Sequence, residues 1–353
     1  MATTEPGTRI SDAGDAFEQI AHVEGEAPAG LSPWKLARRR LRRNKVALAF
    51  GVLFLLLIVC ALLAPLWANQ VADTGPNRPH LSDQLTIDGE QVYVVELDGV
   101  PIGPQYFKAD GKFFLGADTQ GRDVMVRLLY GARNSLFIGL TASLITVLLG
   151  VTLGMLAGYY RKWVDAIISR GMDILWAFPV LLLGIALGVS LALGGFKIPL
   201  IGLQVEGNSL WIPTLIIGFV SIVYLARPIR GQVLSLREKE FVEAARAQGA
   251  SDFRIMFGEL LPNVASTILV FVPILMANAI LLEAALSFLG AGVRPPNPSW
   301  GTMIADGLKL LTTSPHLTVV PGAMLLLTVL SINVFGDGVR DALDPRATIK
   351  LER

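Results

Sequence analysis

Few residues of this chain are placed to do chemistry, and Glu283 is the clearest of them. It lies about two turns inside the end of an apolar run that holds no other charge. A carboxylate in a membrane span is costly and normally faces a cavity or a partner. Two readings stand: a contact on a translocation path, or a polar bond within a helix bundle. A second group lies in Glu240-Phe-Val-Glu-Ala-Ala-Arg-Ala-Gln-Gly-Ala-Ser-Asp-Phe-Arg-Ile-Met-Phe-Gly-Glu-Leu-Leu-Pro262. Ala244, Ala245 and Ala247 give a helix of little bulk that another surface can approach closely. Glu243 and Arg246 flank that face and offer both signs of charge. This is the chemistry of docking, not of bond making. The sequence has no G-x-x-x-x-G-K-[ST] phosphate loop, no G-x-S-x-G and no H-E-x-x-H. A built-in ATPase, serine hydrolase or zinc protease is therefore not supported. His22, His80 and His316 are scattered, and the single Cys60 lies in an apolar run, which argues against a metal cluster and excludes an internal disulfide.

The elements that must position these residues are membrane spans. The chain has 353 residues, 52% hydrophobic and 17% charged, where soluble domains carry roughly 25% charged residues. Apolar runs near 46–68, 135–158, 173–195, 209–226, 264–289 and 317–335 each approach the ~20 residues that cross ~30 Å of hydrocarbon. The basic stretch from Trp34 to Lys45 holds the first span at its cytosolic end and can touch anionic lipid head groups. Lys and Arg follow the second span (Arg161, Lys162, Arg170), the fourth (Arg227 to Arg254) and the sixth (Arg340, Arg346, Lys350, Arg353). This bias predicts six spans with both termini inside, and it puts 240–262 in the cytosol. The net charge of +1 gives no hint of nucleic-acid binding. The first apolar run is too long for the h-region of a signal peptide.

The chain divides into a disordered cytosolic start at 1–33, a basic segment and first span at 34–68, an external loop at 69–134, a five-helix core at 135–339 with the loop 238–262, and a tail at 340–353. In the external loop, Asp88-Gly89 between two alternating runs signals a β-hairpin. Such an insertion suits a packing cap, a docking surface or a ligand site. From 123 to 133 the pattern suits an amphipathic helix on the membrane surface, with Asp123 and Arg127 spaced to pair. Gly150, Gly154 and Gly158 form a small-residue stripe that suits helix packing, and Pro179 suits a kink or a helix start. Within the cytosolic loop, Gly249 fits the position after a helix where φ is positive. Ser251 can cap a second helix that Asp252 favours, and Pro262 suits the first turn of the fifth span.

Several of these stretches resemble one family. Glu243-Ala244-Ala245-x-x-x-Gly249-Ala250, followed by Leu261-Pro262, is similar to the "EAA" loop of the membrane subunits of bacterial ABC importers. Leu115-Gly-Ala-Asp-x-x-Gly-Arg-Asp-Val124 and Arg127-Leu-Leu-Tyr-Gly-Ala-Arg-x-Ser-Leu136 resemble the stretch before span two in the dipeptide/oligopeptide branch. Glu283-Ala-Ala-Leu-Ser-Phe-Leu-Gly290, Pro298-Ser-Trp-Gly301 and Asn333-x-x-Gly-Asp-Gly-x-Arg-Asp-Ala-Leu-Asp-Pro-Arg346 resemble its later signatures. The basic start with one extra span resembles the "C"-type subunit. Glu259 departs from the pattern, which has an apolar residue there. The resemblance covers about 34–346 and implies the type I ABC importer transmembrane fold: an all-α polytopic membrane protein of six transmembrane helices, with a cytosolic coupling-helix loop and the small β-rich insertion.

It further implies a permease subunit without catalysis of its own, and peptides as cargo, with nickel chelates or glutathione-like compounds as the alternative. A homologous second permease subunit, two ATP-binding subunits and an extracytoplasmic binding protein would be its partners, beside membrane lipids. The chain would bind no cofactor, and ATP and magnesium would sit on the partner subunits. Glu243, Ala244, Ala245, Arg246, Gly249, Ala250, Leu261 and Pro262 would form the ATPase-coupling seat. Glu283 could contact a peptide amino terminus. Asp337, Arg340 and Asp341, expected past span six, would form cytosolic salt bridges near the coupling helices or help to dock the ATPase. A gradient-driven transporter is the other reading, but it predicts buried ionisable groups in several spans and internal repeats.

Overall fold

The computed structural model describes residues 33–343, apart from positions 88, 97, 107, 109 and 199–202. The segment 1–32, the turn residue Asp88, and Asp344, Pro345, Arg346, Lys350 and Arg353 lie outside the described residues. Helices dominate. A basic helix α1 (Pro33–Arg43) leads into α2 (Lys45–Leu62), whose start is capped by Asn44, Oδ1 accepting from Ala47 N at 3.0 Å. A short α3 (Ala64–Gln70) follows. The external insertion holds the expected hairpin, β1 (Gln84–Ile87) antiparallel to β2 (Glu90–Tyr93), with Ile87 opposite Glu90 and Gly89 at φ +90°. A small core of Val94, Ile102, Phe113 and Ala117 seats it.

The helix that carries the second span starts eleven residues before the apolar run: α4 (Val124–Tyr160) is a single helix of 37 residues, roughly 55 Å long. The expected surface helix at 123–133 is the first part of this rod, and most of it is buried, with Arg133 exposed. Leu128 and Ala132 pack with Trp300 and Leu317. Asp123 and Arg127 do not pair. Asp123 caps α4 instead, accepting from Val126 N at 3.0 Å and Phe113 N at 2.7 Å, and burial pushes its carboxyl above the usual range. Arg127 bonds Asp118 at 3.3 Å.

The third span is broken. α5 (Lys162–Ala177) and α6 (Val180–Gly194) meet at 89°. The cause is Pro179, which forces the residue before it out of helical geometry; Phe178 is extended at φ −95°, ψ 136°. A second hairpin, β3 (Phe196–Ile198) with β4 (Leu203–Val205), follows without an evident sequence signal. The fourth span joins α7 (Trp211–Val220) and α8 (Ile222–Leu236). Beyond it lie α9 (Glu240–Ala247), the one-turn α10 (Asp252–Arg254) and α11 (Leu261–Phe288). α12 (Trp300–Gly307) and α13 (His316–Leu343) are the last helices among the described residues. Among the described residues, five helical stretches are long and apolar enough to cross a membrane, and six if the bent pair counts as one span.

The bundle is joined at α4. Its glycine stripe lies on α8, where a Cβ at Gly150 would come 3.1 Å from Leu225 Cβ, one at Gly154 2.6 Å from Ala226 O, and one at Gly158 2.8 Å from Arg230 O. Small residues at four-residue spacing let the two backbones touch.

Candidate coupling site

The loop 240–262 is built as the sequence indicates at its turn, and differently at its end. α9 ends in Gly249 at φ +77°. Gly249 N donates to Arg246 O at 2.9 Å and Ala250 N to Ala245 O at 3.0 Å. This pair of bonds is the Schellman motif, which closes a helix on a left-handed glycine. Ser251 then caps α10, its Oγ accepting from Arg254 N at 3.4 Å. Pro262 stands in the first turn of α11, as expected, but α11 does not start from a loop. Helical structure runs unbroken from Asp252 into α11 through a π turn at Ile255–Leu260, in which Leu261 N reaches back to Met256 O. Pro262 has no N–H to donate and its ring crowds the carbonyl four residues back; the wide turn absorbs that mismatch. The loop's second half and the fifth span are thus one body.

α9 buries Val242 against Ile255, Met256 and Leu260, and these rest on Met155, Tyr159, Ile229 and Val233. Ala245, Ala250 and Leu261 are half-buried behind this contact, and Glu243, Ala244, Arg246, Gly249 and Pro262 are exposed. Glu259, in the π turn, is half-buried. The exposed surface also carries Phe241, Phe253 and Phe257, with the last two rings 4.4 Å apart. Their spacing of four residues was the available signal for an apolar contact face, and it was missed.

Three bonds tie the loop to the bundle. Tyr159, in the last turn of α4, donates from its hydroxyl to Asp252 Oδ1 at 2.7 Å. Arg237 and Arg246 lie over its ring at 5.6 and 5.7 Å, and Arg237 Nη1 donates to the Tyr159 carbonyl. Arg161 pairs with Glu238, and that hydrogen bond holds the Glu238 carboxyl below the usual range. Burial, with Arg161 and Arg246 nearby, lowers Arg237. Farther along, Arg230 forks onto Asp165, with one arm at 2.7 Å, and Arg227 bonds Asp173 at 2.8 Å, so α8 grips α5. Sequence spacing could not show these pairs, because their members lie more than fifty positions apart.

Glu283 is far from the loop and fully buried. Its Oε2 accepts from Ser135 Oγ at 2.8 Å and its Oε1 from Ser287 Oγ at 2.7 Å. Ser287 Oγ in turn accepts from Val293 N at 2.8 Å, and Ser135 Oγ from Trp300 N at 3.4 Å. The carboxylate therefore joins α4, α11, the 293 loop and α12. Asp337, Arg340 and Asp341 lie in the last turns of α13, which continues beyond the apolar run that ends near 335. They are exposed and, among the described residues, form no salt bridge. The reason is packing: this part of α13 faces α1 and α2, with Gly338 against Ala47, and not the coupling helices.

Comparison with known proteins names the class this arrangement belongs to. Residues 150–349 match the model of the binding-protein-dependent transport system inner membrane component, and 32–84 match the N-terminal TM domain of oligopeptide transport permease C. The chain belongs to the family of binding-protein-dependent transport system inner membrane components. It is 36% identical to the dipeptide transport system permease protein DppC of Alkalihalophilus pseudofirmus, covering 90% of this chain and 91% of that one. It is 36% identical to the glutathione transport system permease protein GsiD of Pectobacterium atrosepticum (89% and 92%) and to the oligopeptide transport system permease protein OppC of Bacillus subtilis (94% and 96%). Among solved structures it shares the fold of the inward-facing MetNI methionine ABC transporter, with a TM-score of 0.50 at 17% identity, over 62% of this chain and 97% of that one.

Proposed function

We propose that this chain is the permease subunit of an ATP-driven importer that carries di- or oligopeptides across the cytoplasmic membrane, with both termini in the cytosol. It performs no catalysis and binds no cofactor. Two ATP-binding subunits hold ATP and magnesium, and their closure moves the 240–262 loop. A homologous second permease subunit completes the path, and an extracytoplasmic binding protein delivers cargo. The observation that carries this reading is the continuity from Asp252 to Phe288. A push on the exposed loop moves α11 directly, and it moves α4 through Tyr159. Peptide cargo is supported by relatives named for dipeptide and oligopeptide transport. Glutathione, itself a small peptide, is the second reading, supported by a relative of the same identity. The test has two parts. A tagged chain purified in mild detergent should retain two ATPase subunits, and its absence of any ATPase would overturn the coupling reading. Uptake of a labelled dipeptide into cells should be competed by peptides; competition by glutathione alone would select the second cargo.

A further inference from the structure

The stretch from Arg127 to Leu136 carries more polar groups than the bundle uses. Asn134 donates to Pro298 O at 2.7 Å, and Ser135 belongs to the Glu283 network. Arg133 does neither. It is exposed and, among the described residues, has no hydrogen-bond or ion-pair partner. It stands at the rim of a cavity of about 650 Å³, inside the size range of small-molecule sites. The walls are mostly apolar, with Ile58 and Leu62 of α2, Leu136, Phe137 and Leu140 of α4, and Met276 of α11, and polar groups come from Tyr130, Asn134, Asn77 and Asn297. The loops at Asn77 and Pro298 border its outer end.

Depth identifies what meets this cavity. Counted along α4 from Tyr159, at the coupling end, Leu140 lies roughly 30 Å up and Arg133 roughly 40 Å up. The hydrocarbon layer is ~30 Å thick, and head groups take the total to about 40–45 Å. Leu140 is thus at the edge of the hydrocarbon and Arg133 at head-group depth, in the leaflet away from the loop. Leu62, Phe137 and Leu140 are 66%, 36% and 46% exposed, so apolar side chains of the cavity wall reach the outer surface of the bundle. A lone cation above a mostly apolar cleft complements a phosphate with a chain below it.

We infer that this cavity holds one anionic glycerophospholipid of that leaflet, its phosphate against the Arg133 guanidinium and an acyl chain along Leu136, Leu140, Ile58 and Leu62. Lipid binding here does not depend on ATP coupling, and it fails or stands separately from that reading. The experiment is native mass spectrometry of the whole transporter, washed in detergent and then returned to nanodiscs of phosphatidylglycerol and phosphatidylethanolamine. The wild type and Arg133→Lys should each keep a phosphatidylglycerol that resists washing. Arg133→Gln should keep about five-fold less, the effect of one basic group at an anionic surface. Leu140→Trp, which adds bulk at the apolar wall without touching the charge, should lose the lipid as well, and it carries the test if Arg133→Gln does not fold. Equal retention of phosphatidylglycerol by folded Arg133→Gln and Leu140→Trp would overturn the inference. So would retention of phosphatidylethanolamine in its place, or a disulfide from Leu140→Cys to the second permease subunit.

Discussion

The Tyr159 hydroxyl donates a 2.7 Å hydrogen bond to Oδ1 of Asp252, joining the last turn of α4 to the first residue of the helix that becomes α11. Two spans therefore meet the exposed loop at one point. Tyr159→Phe keeps the ring and its two cation contacts and removes the hydroxyl, with its bond to Asp252 and its contact with Arg246, worth at least about 1 kcal/mol. Amide exchange at 250–256 should rise, and ATP-driven uptake should fall about five-fold at equal amounts in the membrane. Unchanged exchange and uptake together would take Tyr159 out of the coupling path.

The α4–α8 contact should be intolerant at its centre. A Cβ at Gly154 would sit 2.6 Å from Ala226 O and 2.9 Å from Ile229 Cβ. Backbone on a packed helix cannot withdraw without separating the pair, so Gly154→Leu should destabilise by about 1–3 kcal/mol. At Gly171 nothing lies within 4 Å, and Gly171→Ala should be neutral or stabilise by about 0.5–1 kcal/mol. Thermal unfolding in detergent compares the two. Equal melting of both variants would contradict the packing account.

Glu283 should behave as a joint in the bundle. Glu283→Ala leaves the Ser135 and Ser287 hydroxyls without their acceptor, at about 1–3 kcal/mol for each. Glu283→Gln keeps one acceptor oxygen and should melt between the wild type and the alanine variant. The KM for peptide should not move in Glu283→Gln. A raised KM at unchanged melting temperature would instead place the carboxylate against cargo.

Gly249 is held at φ +77° with open space around it. Gly249→Arg therefore meets backbone strain and not a clash within the chain. Insertion should persist while coupled uptake falls at least about ten-fold, because the Schellman turn sets the angle between the two loop helices. Uptake equal to the wild type would mean that this angle is not used.

Much of the loop was legible because its signals are local. Gly249, Ser251 and the alanine run act within a few residues of where they stand. The hairpin at 84–93 was legible for the same reason, since Gly89 sets its own turn. Hydropathy alone does not show where α4 starts, because Arg127 is polar yet buried against Asp118. Pro179 suits a kink or a helix start, and the third span breaks there, although its 89° angle was not legible. The network around Glu283 was out of reach, because Ser135 is 148 positions away. Among the described residues, the expected salt bridges at Asp337, Arg340 and Asp341 are absent, because packing turned that stretch toward α2.

The central claim is that the exposed face of α9 and α10 seats an ATP-binding subunit, and cysteine cross-linking in the assembled transporter tests it most directly. Ala247 and Phe253 are both exposed on that face. Ala247→Cys and Phe253→Cys should cross-link to the ATPase through a short bifunctional reagent, with a yield that changes when ATP is added. A cysteine in place of Leu193, exposed on α6 at the other end of the bent span, should give none. An intact, ATP-hydrolysing complex in which neither loop cysteine reaches the ATPase would contradict the account.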